Sequence, residues 1–183
     1  MRVITGTARG RVLKTLEGED VRPTTDRVKE AIFSIIQFEL EGRRVLDLFA
    51  GSGQLGIEAL SRGAAYATFT DMSAESVNIV KQNLISTKLQ NNAEVIRTEA
   101  VTFLKGNRKK YDIVFMDPPY SKGILQNTLP YAVKNVNDGG VIVCEHPYGE
   151  EMPQTVGGFS VYRGYKYGKI GITVYRKNEE DGQ

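Results

Sequence analysis

Residues 45–60, VLDLFAGSGQLGIEAL, decide how the rest of the chain is interpreted. The first five positions are an apolar run that carries one acid, Asp47. This run gives way to Gly51, Gly53 and Gly56 just where the spacing of apolar residues becomes helical. Such an order predicts a strand, a tight turn and a helix. Glycine lets the backbone turn sharply and approach a ligand, so the stretch predicts the start of a nucleotide-binding α/β fold.

Asp47 narrows the class of ligand. The same glycine spacing serves NAD, FAD and S-adenosylmethionine sites. A dinucleotide needs no carboxylate inside the first strand, because its pyrophosphate lies over the glycine turn. A ligand with a cationic amino-acid end gains from an acid there, since a charge-assisted hydrogen bond is about twice as strong as a neutral one. Asp47 therefore favours S-adenosylmethionine, a methyl donor.

The composition is typical of one globular domain. The chain has 183 residues, of which 40% are hydrophobic and 25% charged. It has no apolar run of the length that a membrane helix needs, and MRVITGTARG at the N-terminus has no apolar signal region. We therefore expect a cytoplasmic protein. The single Cys144 lies in an apolar run and is expected to be a buried, inert thiol.

Positive charge is concentrated near the two ends of the chain, although the net charge is only +2. Residues 1–16 carry Arg2, Arg9, Arg11 and Lys14 and no acid. Residues 152–178 also lack acids and interleave basic residues with tyrosines. Two interpretations stay open: a phosphate-contacting surface with stacking platforms, or a solvated hairpin whose tyrosines pack on the core.

The remaining elements follow from local patterns. Residues 1–22 predict a β-hairpin outside the main sheet, and RPTTD at 22–26 predicts the start of an amphipathic helix. Strands are predicted at 67–70, 94–97, 111–116 and 141–144, a helix at 124–136, a turn at 138–140 and a closing hairpin from 161–165 and 170–175.

Acids at two strand ends are candidates to hold an adenosine. Asp71 ends the second strand, where a carboxylate can accept from both ribose hydroxyls. Alternatively, Asp71 is only an acid near the N-terminus of a helix that Ser73 caps. Glu99, followed by Ala100, lies in the loop after the third strand, where it could accept from the adenine amino group.

The second informative motif is DPPY, residues 117–120, at the end of the fourth strand. Ligands of open α/β sheets bind outside the carboxyl ends of the strands, near the switch point. The prolines stiffen the segment and remove N–H donors, so Asp117 and the Pro118 carbonyl are acceptors and Tyr120 is a stacking surface. These groups suit an exocyclic amine on a base swung out of its helix. A merely rigid strand end is the alternative.

His146, the only histidine, is predicted at the end of the fifth strand, facing this site. A general-base role is conceivable because its charge changes near neutral pH. Methyl transfer from a sulfonium, however, needs positioning more than proton abstraction before attack. His146 is therefore not assigned to the catalytic group.

On these motifs the chain resembles a class I S-adenosylmethionine-dependent methyltransferase of the amino-methylating type. More closely, it resembles the RsmD family, which methylates N2 of a guanine in bacterial 16S ribosomal RNA. The matching stretches are RVITGTARGRVL, RPTTDRVKEAIFSII, VLDLFAGSGQLGIEALSRGA, FMDPPY and YKYGKIGITVY. The chain departs from the family in having Asp71 where glutamate is frequent and Glu99 where aspartate is common.

The resemblance implies a Rossmann-like α/β fold with a seven-stranded, mostly parallel sheet whose last strand is antiparallel. The domains would be an N-terminal β-hairpin extension at 1–22, a methyltransferase domain at 23–178 and a polar tail at 179–183. It implies S-adenosylmethionine as cofactor, no metal, and a monomer that acts on ribosomal RNA or an assembling small subunit without a membrane partner. The expected site comprises catalytic Asp117, Pro118, Pro119 and Tyr120; cofactor-binding Asp47, Phe49, Gly51, Gly53, Asp71, Met72, Glu99 and Ala100; and RNA-binding Arg9, Arg11, Arg22, Arg27 and Lys166.

Three competing functions remain. Methylation of adenine N6 or of a protein glutamine uses a similar acceptor geometry. A non-catalytic RNA-binding assembly factor would have no need for Asp47, the glycines and DPPY together. A nicotinamide-dependent oxidoreductase fits poorly, because hydride transfer has no use for a proline-stiffened acceptor loop.

Overall fold

Eight strands form one mixed sheet in the computed structural model, which describes residues 1–17, 25–120 and 123–178. The strands are β1 Arg44–Asp47, β2 Tyr66–Asp71, β3 Ala93–Arg97, β4 Tyr111–Met116, β5 Val136–Pro147, β6 Thr155–Val156, β7 Phe159–Tyr167 and β8 Ile170–Lys177. The α-helices are α1 Asp26–Ile35, α2 Gln54–Ser61, α3 Ala74–Thr87, α4 Ala100–Gly106 and α5 Ile124–Ala132. No helix within these ranges is both long and apolar enough to cross a membrane.

The strand order is β3-β2-β1-β4-β5-β8-β7-β6. Strands β1 to β5 are parallel, and β8 runs antiparallel to both β5 and β7. This arrangement confirms the predicted Rossmann-like sheet with an antiparallel last strand. It differs from the expected seven strands by the two-residue β6, which pairs with β7 at the edge.

The helices cover both faces of the sheet. On one face, α1, α2 and α3 pack with buried residues such as Val45, Phe69 and Phe115. On the other face, α4 and α5 pack with Leu46 and Val114. Helix α3, which connects β2 to β3, lies on the first face, and α4, which connects β3 to β4, lies on the second. The gap between the neighbouring strands β1 and β4 is therefore a topological switch point.

Of two local predictions near the fifth strand, one is confirmed and one is wrong. The predicted helix 124–136 is α-helical from Ile124 to Ala132 and continues as a 3-10 helix over Val133–Asn135. The predicted turn at 138–140 lies inside β5, where the partners change from Val136 opposite Tyr111 to Val141 opposite Ile113. Pairing with β4 on both sides keeps this Asp-Gly-Gly segment in the strand as an irregularity.

The N-terminal arm, defined as residues 1–14, contains the antiparallel bridge between Arg2 and Val12. The Val3 N–H donates to the Arg11 carbonyl at 2.9 Å. Val3, Ala8 and Leu13 of the arm are buried in the core that α1 and α2 share. Residues 18–22 of the predicted hairpin and the predicted tail 179–183 lie outside the described residues.

A buried ion pair fixes the arm to the core. The side chains of Lys29 in α1 and Glu58 in α2 are both 0% exposed, with Nζ 3.5 Å from Oε2. Glu58 accepts the N–H groups of Ile4 and Thr5, and Lys29 donates to the Arg2 carbonyl at 2.7 Å. Burial lowers the pKa of Lys29, and the charge of Glu58 opposes that effect.

Candidate active site at the carboxyl edge of the sheet

The glycine turn, residues 48–53, leads from β1 into α2. Gly51 and Gly53 have φ of +55° and +81°, the left-handed region that glycine adopts without strain. A Cβ at Gly53 would lie 3.1 Å from a Val80 methyl, whereas one at Gly51 would meet no atom of the described residues within 4 Å. A ligand can therefore approach the backbone on the open side at Gly51. Phe49, also predicted to bind cofactor, packs partly buried against the second core.

Asp47 lies beneath this turn and is only 1% exposed. Its Oδ2 accepts the N–H of Gly56 at 3.0 Å, which ties β1 to the first turns of α2. Burial raises the pKa of Asp47 to about 7, although the bond from Gly56 opposes this shift. A cationic group nearby would favour the ionised carboxylate. The predicted contact between Asp47 and a ligand ammonium stays a prediction.

Asp71 joins the glycine turn to the start of α3. Its Oδ2 accepts from the Gly51 N–H at 2.9 Å and its Oδ1 from the Ser73 N–H at 2.8 Å. Ser73 caps α3, as the alternative interpretation required, by accepting from Ser76. Because a carboxylate oxygen can accept two hydrogen bonds, these contacts leave capacity for ribose hydroxyls. Met72, the next predicted site residue, is 69% exposed.

Glu99 has a local role in the structure. Its Oε1 accepts from the Val101 N–H and its Oε2 from the Thr102 N–H, at 2.9 and 2.7 Å, so it caps α4. These bonds hold the pKa of Glu99 below its ordinary value. The Thr98 N–H donates to the Asp71 carbonyl at 3.0 Å, which brings the loop of Glu99 and Ala100 beside the end of β2. The predicted contact with adenine stays a prediction.

The acceptor loop, residues 117–120, follows β4 directly and lies beside the glycine turn. The N–H of Leu48 donates to the Phe115 carbonyl at 3.1 Å, so the chain leaves β1 and β4 side by side. Pro118 is buried and Tyr120 is 44% exposed. A small notch separates this loop from the end of β5, lined by Pro118, Pro119, Tyr120, Leu125, Glu145, His146, Pro147 and Glu150.

His146 is held at the back of this notch and is 6% exposed. Its Nδ1 lies 2.9 Å from the Pro147 carbonyl, which can only accept, so Nδ1 carries the proton. Its Nε2 lies 2.8 Å from the Thr173 hydroxyl, within hydrogen-bonding distance. Both ring nitrogens are thus engaged by the protein, which favours a positioning role over a general-base role.

The predicted RNA-binding residues that the structure describes lie on three elements: the arm, α1 and β7. Arg9, Arg11, Arg27 and Lys166 are exposed, and Arg22 lies outside the described residues. The arm's loop that precedes Arg9 lies against the C-terminal end of α2, through the bond from the Thr7 N–H to the Ser61 carbonyl. Lys166, in contrast, lies at the site edge, with Nζ 4.2 Å from the ring centroid of Tyr148.

Sequence reasoning missed three residues around the glycine turn: Ser52, Gln54 and Asn83. The amide of Asn83 bonds to the Ser52 carbonyl, and the buried Oε1 of Gln54 has no hydrogen-bond partner among the described residues. The sequence did hold one signal for these residues: a polar side chain at a helix position whose neighbours on the same face are apolar. Asn83 lies between Val80 and Leu84 on the buried face of α3.

The fold and the site together define a Rossmann-like methyltransferase, with a glycine turn and a proline-stiffened acceptor loop at the switch point. Residues 1–176 match the family described as conserved hypothetical protein 95. The chain belongs to this family, and its resemblance to the RsmD proteins is confirmed.

Curated relatives and a solved structure agree with this membership. Ribosomal RNA small subunit methyltransferase D of Escherichia coli strain K12 is 34% identical over 183 residues, which cover 98% of this chain and 91% of that protein. YlbH of Bacillus subtilis strain 168, named as a proposed rRNA methyltransferase, is 42% identical over 97% of this chain and 99% of its own. The solved structure of yhhF, a proposed methyltransferase from Escherichia coli, is 35% identical with a TM-score of 0.86 and 97% coverage of both chains. The chain is therefore an enzyme of the methyltransferase class.

Proposed function

We propose that this enzyme methylates the exocyclic N2 of a guanine in small-subunit ribosomal RNA, with S-adenosylmethionine as the methyl donor. The observation that carries the proposal is the acceptor loop, residues 117–120, placed beside the glycine turn by the pairing of β1 with β4. Relatives aligned over nearly the whole chain and named as small-subunit ribosomal RNA methyltransferases support the substrate.

The residues around the glycine turn fit the methyl donor. The open side at Gly51 admits a ligand, Asp71 has capacity for ribose hydroxyls, and the carboxylate of Asp47 suits an ammonium. Beside the same turn, the buried Oε1 of Gln54 is an acceptor for which residues 1–17, 25–120 and 123–178 supply no donor. When bound, S-adenosylmethionine supplies an electrophilic methyl group on a sulfonium.

The acceptor loop supplies hydrogen-bond acceptors that increase the nucleophilicity of an exocyclic amine. The nitrogen lone pair of guanine N2 is delocalised into the ring, so the amine is a poor nucleophile. The carboxylate of Asp117 and the carbonyl of Pro118 are acceptors that orient its two N–H groups and localise the lone pair. Transfer would break the bond between the methyl carbon and the sulfonium sulfur, which would leave as a neutral thioether, and Asp117 would accept the proton that the amine must lose.

The exposed ring of Tyr120 provides the stacking surface for a guanine that has left its helix or loop. Arg9, Arg11, Arg27 and Lys166 contact phosphates on the outer surface. A cytoplasmic location, a monomeric state and a reaction without metal complete the proposal.

The test is a calorimetric titration with S-adenosylmethionine, followed by labelled methyl transfer. The acceptors are purified small-subunit RNA, partly assembled subunits from cells that lack this protein, and bulk protein from the same cells. We expect binding, with label in the RNA of at least one of the first two acceptors. Label confined to protein would overturn the substrate class, and binding without transfer to any acceptor would overturn the activity.

A further inference from the structure

The amide of Asn83 connects the N-terminal arm to the glycine turn. Asn83 is 1% exposed. Its Oδ1 accepts the Lys14 N–H at 2.8 Å, and its Nδ2 donates to the carbonyls of Lys14 and Ser52, both at 2.9 Å. Because an amide nitrogen has two hydrogens, both donors are used. One side chain thus holds the end of the arm and the centre of the turn together.

The arm is fixed along the whole length of α2. At the end of that helix, the Ser61 hydroxyl donates to the Thr5 carbonyl and accepts the Ala8 N–H, at 2.6 and 2.9 Å. Glu58 holds the N–H groups of Ile4 and Thr5 in the middle. At the start of the helix, the Met1 sulfur lies 3.9 Å from the Ser52 hydroxyl. The arm is therefore built into the methyltransferase fold as far as the turn.

The glycine turn depends on such external bonds for its shape. Gly51 and Gly53 flank Ser52, and glycine adopts many backbone conformations, so this segment has little intrinsic preference for one of them. Several hydrogen bonds restrain it. The Gly51 N–H donates to Asp71, the Gly53 N–H donates to the Ala50 carbonyl, and the Ser52 carbonyl accepts from the Asn83 amide. The Ala50 N–H also donates to the Thr70 carbonyl. A turn that is ordered before binding spares the ligand the entropic cost of ordering it.

We propose that the N-terminal arm is a positioning element for the methyl-donor turn and that Asn83 is the positioning residue through which it acts. The proposal deepens the function above and rests on its assignment of S-adenosylmethionine to the turn. It assigns to residues 1–14 a part in cofactor binding, in addition to the RNA docking expected from their charge.

The first test replaces Asn83 by aspartate. The variant Asn83→Asp keeps an acceptor for the Lys14 N–H but faces the carbonyls of Lys14 and Ser52 with an oxygen instead of a donor. We expect the Kd for S-adenosylmethionine, measured by calorimetry, to rise about tenfold, because one restraint on the turn becomes a repulsion.

Two variants control for a merely structural effect. Thr87→Val removes a buried hydroxyl one helical turn along α3, which bonds to the carbonyls of Asn83 and Leu84 without touching the arm or the glycine turn. Gln82→Ala removes the exposed contact with the Lys14 ammonium, at 2.6 Å. We expect both to bind S-adenosylmethionine within about twofold of the wild type, even where Thr87→Val lowers the melting temperature.

A second measurement uses the unaltered protein and so does not depend on whether Asn83→Asp folds. Amide hydrogen exchange at Lys14 should slow at least about fivefold when S-adenosylmethionine binds, because its N–H is bonded to the side chain that holds the turn. The Ala65 amide, bonded to the Arg43 carbonyl at the opposite edge of the sheet, should not change.

The outcomes separate this proposal from the proposed function. If Asn83→Asp binds as tightly as Thr87→Val, or if exchange at Lys14 is the same with and without the ligand, the positioning role is wrong although the enzyme still binds its donor. If the wild type itself binds no S-adenosylmethionine, the donor assignment fails first, and this proposal fails with it.

Discussion

Asp117 is the residue whose replacement should separate methyl transfer from cofactor binding. Asn at this position keeps one acceptor oxygen but cannot take the proton that leaves the amine. We expect Asp117→Asn to lower kcat by at least about 100-fold, the usual contribution of a positioned proton acceptor, with the Kd for S-adenosylmethionine within about twofold. Steady-state kinetics and calorimetry measure the two quantities.

Asp112→Asn is the matched control for that variant. Asp112 lies near the start of β4, the strand that Asp117 directly follows, where it accepts from the Arg44 N–H and from Asn137. It should alter stability without a selective loss of kcat. Equal losses of kcat and of cofactor affinity in Asp117→Asn would contradict the role assigned to the acceptor loop.

Asp47 should make the stability of the ligand-free protein depend on pH. Burial raises its pKa from 3.8 to about 7, so between these values the folded protein keeps a proton that the unfolded chain has released. The unfolding free energy therefore falls as pH rises from about 4 to 7, and the contribution is lost above the folded pKa. From pH 5 to 8 the loss should be about 2–3 kcal/mol.

Urea unfolding of the wild type and Asp47→Asn at several pH values measures this effect. The asparagine keeps an acceptor for the Gly56 N–H but has no proton to lose, so its stability should not show the same decline. The difference between the two curves then isolates Asp47 from the other titrating groups. Curves that run parallel from pH 5 to 8 would show that the carboxyl is already ionised in the folded protein.

At the scale of the elements, the contact of α2 with β2 depends on Gly56. A Cβ there would lie 2.3 Å from the Phe69 ring, so the helix would have to move away from the strand. Gly56→Ala should lower the unfolding free energy by about 1–3 kcal/mol. Gly106→Ala, at the end of α4 where a Cβ meets nothing within 4 Å, should be neutral or slightly stabilising. Equal melting temperatures for the two variants would contradict this account of the packing.

Most elements could be predicted because their local signals agree with the fold. The strand Tyr111–Met116 has the predicted bounds, and Thr25 caps α1 where the RPTTD motif placed a helix start. The burial of Lys29 and Glu58 could not be predicted, because charged residues on an amphipathic helix normally face solvent. Besides their mutual ion pair, both bond to backbone groups of the N-terminal arm, a segment distant in sequence that folds over the helices.

The positions of the site acids could be predicted, but their partners could not. Asp47, Asp71 and Asp117 lie at or beyond the carboxyl ends of parallel strands. These positions follow once each strand is predicted from its own apolar run. That Asp71 holds the Gly51 N–H depends on how β2 and the glycine turn meet in space. The capping role of Glu99 is local, and an acid directly before a short helix could have indicated it.

At the scale of the whole molecule, RNA binding should depend on the arm. The double variant Arg9→Gln, Arg11→Gln removes two exposed charges, so the slope of log K against log salt should become shallower by about 1.4 for a single-stranded contact. The control is Arg108→Gln, Lys110→Gln, in an exposed loop before β4, which should leave the slope unchanged. Equal slopes for the wild type and the arm variant, in filter binding or fluorescence titrations, would exclude the arm from the RNA contact.

The most direct test of the account is the identity of the methylated nucleoside. RNA methylated by the wild type with labelled S-adenosylmethionine is digested to nucleosides, which are separated and identified by mass spectrometry. The acceptor loop, with Asp117 and the Pro118 carbonyl holding an exocyclic amine and Tyr120 stacking a purine, predicts N2-methylguanosine as the labelled product, lost in Asp117→Asn. Label in N6-methyladenosine, or in a ring carbon or ribose oxygen, would contradict it.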